Sequence, residues 1–119
     1  MQPVDIVAAQ LAAYNQRNLN GFCACFSENI EVWDMVTKSL CFSGMERFRE
    51  VYRQRFEDTE LHCHLLNRIT QGSVVIDHEH VYSSTGVVRA IATYVVAKDK
   101  ITSVSFHSEP FKGTRERGA

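Results

Sequence analysis

The chain has 119 residues, 45% of them hydrophobic, with 13 basic and 14 acidic residues and a formal charge of −1. That is enough length and apolar content for one domain with its own core, and the interspersed charges leave no basic stripe for nucleic acid or an anionic membrane. No apolar run reaches the roughly 18 residues of a membrane span, and the start, MQPVDIVAAQ, lacks the basic end and long apolar stretch of a secretory signal, so a cytoplasmic location is expected.

Pro3 is placed to open a helix in which Val4, Val7, Leu11 and Tyr14 recur at helical steps down one face. Asn15 to Asn18 breaks it, and Asn18 can cap a short second helix in which Leu19, Phe22, Cys23 and Phe26 share a face. Ile30 to Val36 alternates as a strand, and Ser39 to Phe42 forms a short one ending at Gly44. A third helix follows, with Met45, Phe48, Tyr52 and Phe56 on one side and Glu46, Arg49, Glu50 and Arg53 mostly on the other. From Glu60 onward the pattern becomes long strands near 61–70, 74–82, 87–97 and 101–107, broken at Gln71-Gly72, Ser83 to Gly86 and Lys98-Asp99-Lys100. Helices first and an antiparallel meander afterwards predict an α+β fold, its helices packed on one face of a curved sheet. The expected organisation is one domain over residues 1–108 and a loose polar tail over 109–119.

Cys23, Cys25, Cys41 and Cys63 show neither the C-x-x-C spacing of a zinc site nor the density of a secreted disulfide scaffold. Cys23 and Cys25 stand about 200° apart around a helix and cannot hold one ion together. Reduced thiols packed as small hydrophobes are expected. No glycine-rich phosphate loop or nucleotide motif is present, so no organic cofactor is expected.

The strand VVIDHEHV, residues 74–81, mixes acids and histidines with β-branched neighbours. Period two puts Val74, Ile76, His78, His80 and Tyr82 on one face and Val75, Asp77, Glu79 and Val81 on the other, with Arg68 on the preceding strand a neighbour for Asp77. A second H-x-H lies at His62 and His64. A turn pairing Thr70 with Ser73 sets His64 opposite Glu79, whereas one bulged residue there sets His64 opposite His78 and His62 opposite His80. Four convergent histidines would make a transition-metal site; with no supporting Cys or carboxylate spacing, hydrogen-bonded histidines are preferred and no metal is expected.

In the earlier strand Ile30, Val32 and Asp34 share a face, so Asp34 either points inward among apolar walls or sits at the strand's end bonded to a loop or water. The loop-bound arrangement is preferred. Tyr52 and Tyr94 carry phenols that need partners when buried, and a pocket rim supplies them. Trp33 shares the opposite face with Glu31, where an exposed aromatic marks a subunit interface.

The order of elements, with AAYNQRNLNGFCACFSENIEVWD, VVIDHEHV and AIATYVVAKDKITSVSF, resembles the nuclear transport factor two-like superfamily over about residues 4–107. That superfamily holds ketosteroid isomerases, polyketide cyclases of the SnoaL type and many small proteins without assigned activity. The resemblance implies a cone-shaped, curved antiparallel sheet wrapped around three N-terminal helices, a cavity at its mouth and a homodimer through the outer sheet face. Matched without gaps, Asp34 falls at the general-base aspartate of ketosteroid isomerase, while Gln10 and Ala92 fall where the tyrosine and protonated acid hold the enolate oxygen. Losing one such donor costs roughly 10² to 10³ in rate, so steroid isomerisation is disfavoured. Tyr14, one turn beyond Gln10, can supply a phenol from a shifted position.

The resemblance also aligns His78 and His80 with cavity-lining positions and turns Asp77 and Glu79 outward. The expected catalytic residues are therefore Asp34, His78 and Tyr14, with Gln10, Tyr52, His80, Tyr94 and Phe106 contacting the ligand. The expected function is a cofactor-free isomerase, cyclase or hydratase acting on a small apolar molecule. A non-catalytic binder of such a molecule, or a dimeric interaction module with a filled cavity, are the alternatives.

Overall fold

The computed structural model describes residues 1–111. Helix α1, Pro3–Asn15, starts where Pro3 needs no backbone donor and where the Asp5 carboxylate accepts from the Gln2 backbone N–H at 2.9 Å. It buries Ile6, Val7, Gln10, Ala13 and Tyr14. Helix α2, Leu19–Cys23, is capped as expected, the Asn18 side chain accepting from Gly21 N–H at 3.0 Å. It lasts little more than one turn, so Phe26 opens strand β1, Phe26–Asp34, instead of ending the helix. Strand β2 is Leu40–Ser43, and Gly44, at φ +90°, takes a backbone angle few other residues adopt to start α3, Met45–Arg55. Strands β3 (His62–Gln71), β4 (Val74–Ser83), β5 (Gly86–Ala97) and β6 (Lys100–Pro110) complete the chain.

The six strands form one curved sheet in the order β2-β1-β6-β5-β4-β3. The meander β3 to β6 and the β1–β2 pair are antiparallel as expected, but β1 runs parallel to β6, with Val32 beside Val104 and Asp34 beside Phe106. No hairpin joins these two strands, so nothing forces them to oppose each other. Strand β6 also runs further than expected: Glu109 and Pro110, assigned to the tail, pair with Arg89 and Val88. The rest of the expected tail, 112–119, lies outside the described residues.

The β3–β4 register matches neither sequence alternative. Gln71 pairs with Val74 around Gly72-Ser73, and the irregularity sits at Leu66, between Leu65 opposite Glu79 and Asn67 opposite His78. His64 therefore faces His80, His62 faces Tyr82, and β3 bends where its ladder is interrupted.

The helices cover the inner face of the sheet. Phe22 lies at the centre of an aromatic cluster, its ring 4.8 Å from Phe26, 5.6 Å from Phe48, 4.7 Å from Tyr52 and 5.8 Å from Tyr14. Phe22, Phe48, Ile30, Ile101, Val7, Val75 and Val104 are fully buried, each worth roughly 1.5–3 kcal/mol of transfer free energy. All four cysteines are free thiols; Cys23 and Cys63 are buried, Cys25 is half-buried and Cys41 is exposed. Among the described residues no helix is long and apolar enough to cross a membrane.

Candidate functional site

The helices and the inner sheet face do not fill the space between them. A cavity of about 250 Å³ remains. Gln10, Leu11 and Tyr14 reach it from α1, Tyr52 and Arg55 from α3, Cys63 from β3, Glu79 and Val81 from β4, Tyr94 from β5, and Val104, Phe106 and Ser108 from β6. Five residues singled out in the sequence, Gln10, Tyr14, Tyr52, Tyr94 and Phe106, thus meet on one wall system.

Three others do not. Strand β4 divides into the two expected sets, but the inward set is Val75, Asp77, Glu79 and Val81, all buried, while His78 and His80 stay half-exposed on the outer face. The physical reason lies in the partners. Val75 pairs with Tyr94 and Val81 with Cys63 and Val88, which face the core, and Arg68 and Cys63 supply donors that let two carboxyls go inside. His80 instead stacks on Phe111, ring centroids 4.6 Å apart, beside Arg89. By register His62, His64 and His107 lie on that outer face too. Among the described residues no three His, Cys, Asp or Glu side chains converge as a metal ion would require.

Asp34 takes the loop-bound arrangement. Its Oδ1 accepts from the backbone N–H groups of Val36 at 2.9 Å and Thr37 at 2.8 Å, closing the turn that follows β1. Those bonds, the Thr37 backbone bond foremost, hold its carboxyl below the ordinary carboxylate range. It borders an open depression with Trp33 and Lys38, apart from the cavity. Asp34, His78 and His80 are thus absent from the cavity wall, and the inward positions expected of the three are corrected.

Glu79 is the carboxyl of the cavity wall. It is 6% exposed, and burial foremost pushes its pKa up to about 7. The Cys63 thiol donates to it and pulls the value down, nearby Asp77 raises it further, and Arg68 and Arg55 oppose that rise. The thiol itself is pushed up by its burial, then by Glu79, and stays protonated. Asp77, fully buried, is held in a bidentate pair by Arg68, Nε to Oδ1 at 2.7 Å and Nη2 to Oδ2 at 2.9 Å. The Arg68–Asp77 pairing is as the sequence suggested, though on the opposite side of the sheet.

Two phenols accept hydrogen bonds at their oxygens, which frees their O–H groups to donate. Gln10 Nε2 donates to Tyr94 Oη at 3.3 Å, and Arg55 Nε donates to Tyr14 Oη at 3.1 Å. Burial raises the pKa of Tyr14, Tyr52 and Tyr94, so all three are neutral at physiological pH. The site therefore joins one carboxyl that can hold or release a proton near neutrality to two oriented hydroxyl donors. Sequence reading missed Glu79, Cys63 and Arg55. The available signal was Val75 and Val81 bracketing the two acids, since a face with β-branched residues at both ends packs well against a core.

A family model described as a SnoaL-like domain matches residues 7–104. No curated protein matches the chain. Among solved structures, an uncharacterised cystatin-fold protein from Novosphingobium aromaticivorans is similar at 20% identity and a TM-score of 0.80, over 90% of this chain and 98% of that one. A protein described as a putative ketosteroid isomerase from Kribbella flavida is similar at 12% identity and a TM-score of 0.80, over 98% and 85%. SalBIII, described as an epoxide hydrolase/cyclase-like enzyme of pyran ring formation in the polyether salinomycin, is similar at 17% identity and a TM-score of 0.78, over 90% of each chain. At these identities the likeness is one of fold.

Proposed function

Given that the chain belongs to the SnoaL-like domain family, we propose that it is a cofactor-free acid–base enzyme that isomerises, cyclises or hydrates a small, largely apolar molecule, with Glu79 moving the proton. The observation that carries this reading is a buried carboxyl on the wall of a cavity between the helices and the sheet, with a pKa pushed up to about 7. A group poised there is available in either form at neutral pH. Steroid isomerisation is not part of the proposal, and neither is Asp34.

In the ionised form, the Glu79 carboxylate accepts a proton from a carbon or hydroxyl of the bound molecule. In the protonated form, it returns one to the carbon, leaving group or ring oxygen that needs it. Negative charge developing on a substrate oxygen meets the O–H of Tyr14 or Tyr94, each polarised by the donor behind it, Arg55 or Gln10. Phe22, Phe26, Val81, Val104 and Phe106 keep water scarce around the reacting atoms. The volume lies below the roughly 300–1,000 Å³ of drug-sized pockets, which limits the substrate to about one ring or a short chain. The likeness to SalBIII, an epoxide hydrolase/cyclase-like enzyme in pyran ring formation, supports the same reaction types.

The test is Glu79→Gln against a panel of small epoxides, enones and hydroxy-ketones. Turnover found with wild type should drop by about 10² to 10⁴ in the variant, and the wild-type rate should change with an apparent pKa near 7. Wild-type turnover matched by the glutamine variant removes Glu79 from the chemistry. Tight retention of a molecule with no chemical change on incubation favours a binder.

A further inference from the structure

The two arginines that end α3 have different partners. Arg53 is exposed and held by Glu50 at 2.9 Å and Glu57 at 3.2 Å, which occupies those two acids. Arg55, also exposed, sits at the cavity rim and forms no ion pair with a carboxylate among the described residues. Its Nε donates to Tyr14 Oη, and its other four N–H donors have no acceptor among the described residues. Among the described residues it is also the cation that lines the cavity, and Arg68 is engaged with Asp77.

The apolar wall and this unpaired fork specify a ligand. We propose, resting on the reading of the cavity as a substrate pocket, that Arg55 anchors the carboxylate of a small, otherwise apolar monocarboxylic acid, with the Tyr14 O–H adding a further hydrogen bond. A guanidinium fork matches a carboxylate in two parallel bonds, an arrangement an ammonium or amide cannot reproduce. The body of the acid then lies among Phe22, Val81, Val104 and Phe106, with its far end toward Glu79 and Tyr94. Charge is balanced on entry, because Glu79 can keep its proton while the ligand brings the negative charge to Arg55. The other titratable groups on the wall, Tyr14, Tyr52, Cys63 and Tyr94, are held in their neutral forms by burial, and the buried charge of Asp77 is matched by Arg68.

Calorimetric titration with benzoate and its neutral isostere benzamide, at pH 6 and pH 8, tests this. Wild type should bind benzoate at least about tenfold more tightly than benzamide at pH 6, and the preference should shrink at pH 8 as Glu79 ionises. Arg55→Gln should lose the preference while still binding benzamide, and Arg55→Lys should keep part of it. Equal affinities in wild type, no saturable binding of benzoate at millimolar concentration, or an unchanged preference in Arg55→Gln each overturn the proposal. Should Arg55→Gln fail to fold, the wild-type ratio and its pH trend decide alone. Glu79→Gln separates the two readings: it should retain the benzoate preference without the pH trend. If that variant also turns substrate over at the wild-type rate, the proton-transfer reading fails and the carboxylate site stands.

Discussion

On the inner face of β4, Asp77 and Glu79 are 0% and 6% exposed, while on the outer face of the same strand His78 and His80 remain half-exposed. The two acids do not share one fate either. Asp77 meets a full guanidinium fork from Arg68, while Glu79 receives a thiol donor and only distant positive charge. Burial is tolerated in both cases, but by different means: a buried carboxylate is kept ionised by a matched cation, and a buried carboxyl without one moves toward its neutral form. The first arrangement fixes structure. The second leaves a group that can exchange a proton.

The contrast is broken most severely by removing the cation. Arg68→Met leaves Asp77 without its partner inside the sheet, and should cost about 3–5 kcal/mol in denaturant unfolding; a loss below about 1 kcal/mol would mean that the pair contributes little to holding β3 on β4. The next effect is pH-dependent. An acid whose folded pKa exceeds its unfolded value keeps a proton that the unfolded chain has already released, so Glu79 makes the native state less stable as pH rises from the ordinary 4.5 toward about 7. Glu79→Gln lacks that titration, and its stability relative to wild type should improve by roughly 3 kcal/mol between pH 4.5 and pH 8. A constant difference between the two proteins across that range would show that Glu79 ionises as an exposed acid does.

The smallest effects belong to residues outside the cavity. His78→Asn should change stability by no more than about 0.5 kcal/mol and leave any turnover unaltered. Asp34→Asn keeps an oxygen that can accept from Val36 and Thr37, so turnover should be unchanged and the melting temperature lower by no more than a few degrees. A large loss of turnover in Asp34→Asn with the fold intact would restore the strand's end as the reactive centre and displace Glu79.

Much of the fold was legible because it is locally encoded. Pro3, Asn18 and Gly44 set the helix starts through backbone donors and angles that involve only their neighbours, and the breaks at Gln71-Gly72, Ser83 to Gly86 and Lys98 to Lys100 marked off the strands of the meander. Of the cavity residues, the aromatic and amide side chains were legible because large, partly polar groups on inward faces of helices and strands tend to meet at a pocket. Glu79 was not, since a charged residue in a strand ordinarily faces water, and Arg55 was not, since an exposed arginine at a helix end carries no mark of a nearby cavity.

The sequence by itself determined which residues share a side of β4, where the helices start, and that Arg68 could reach Asp77. Only the tertiary structure decided which side of β4 is the inside, that the ladder slips at Leu66 instead of at the turn, and that Asp34 folds back onto its own loop. The reason is that a period of two carries no sign: alternation is satisfied equally by either orientation, and the choice falls to partners contributed by other strands and helices, remote in the chain and adjacent only once it has folded.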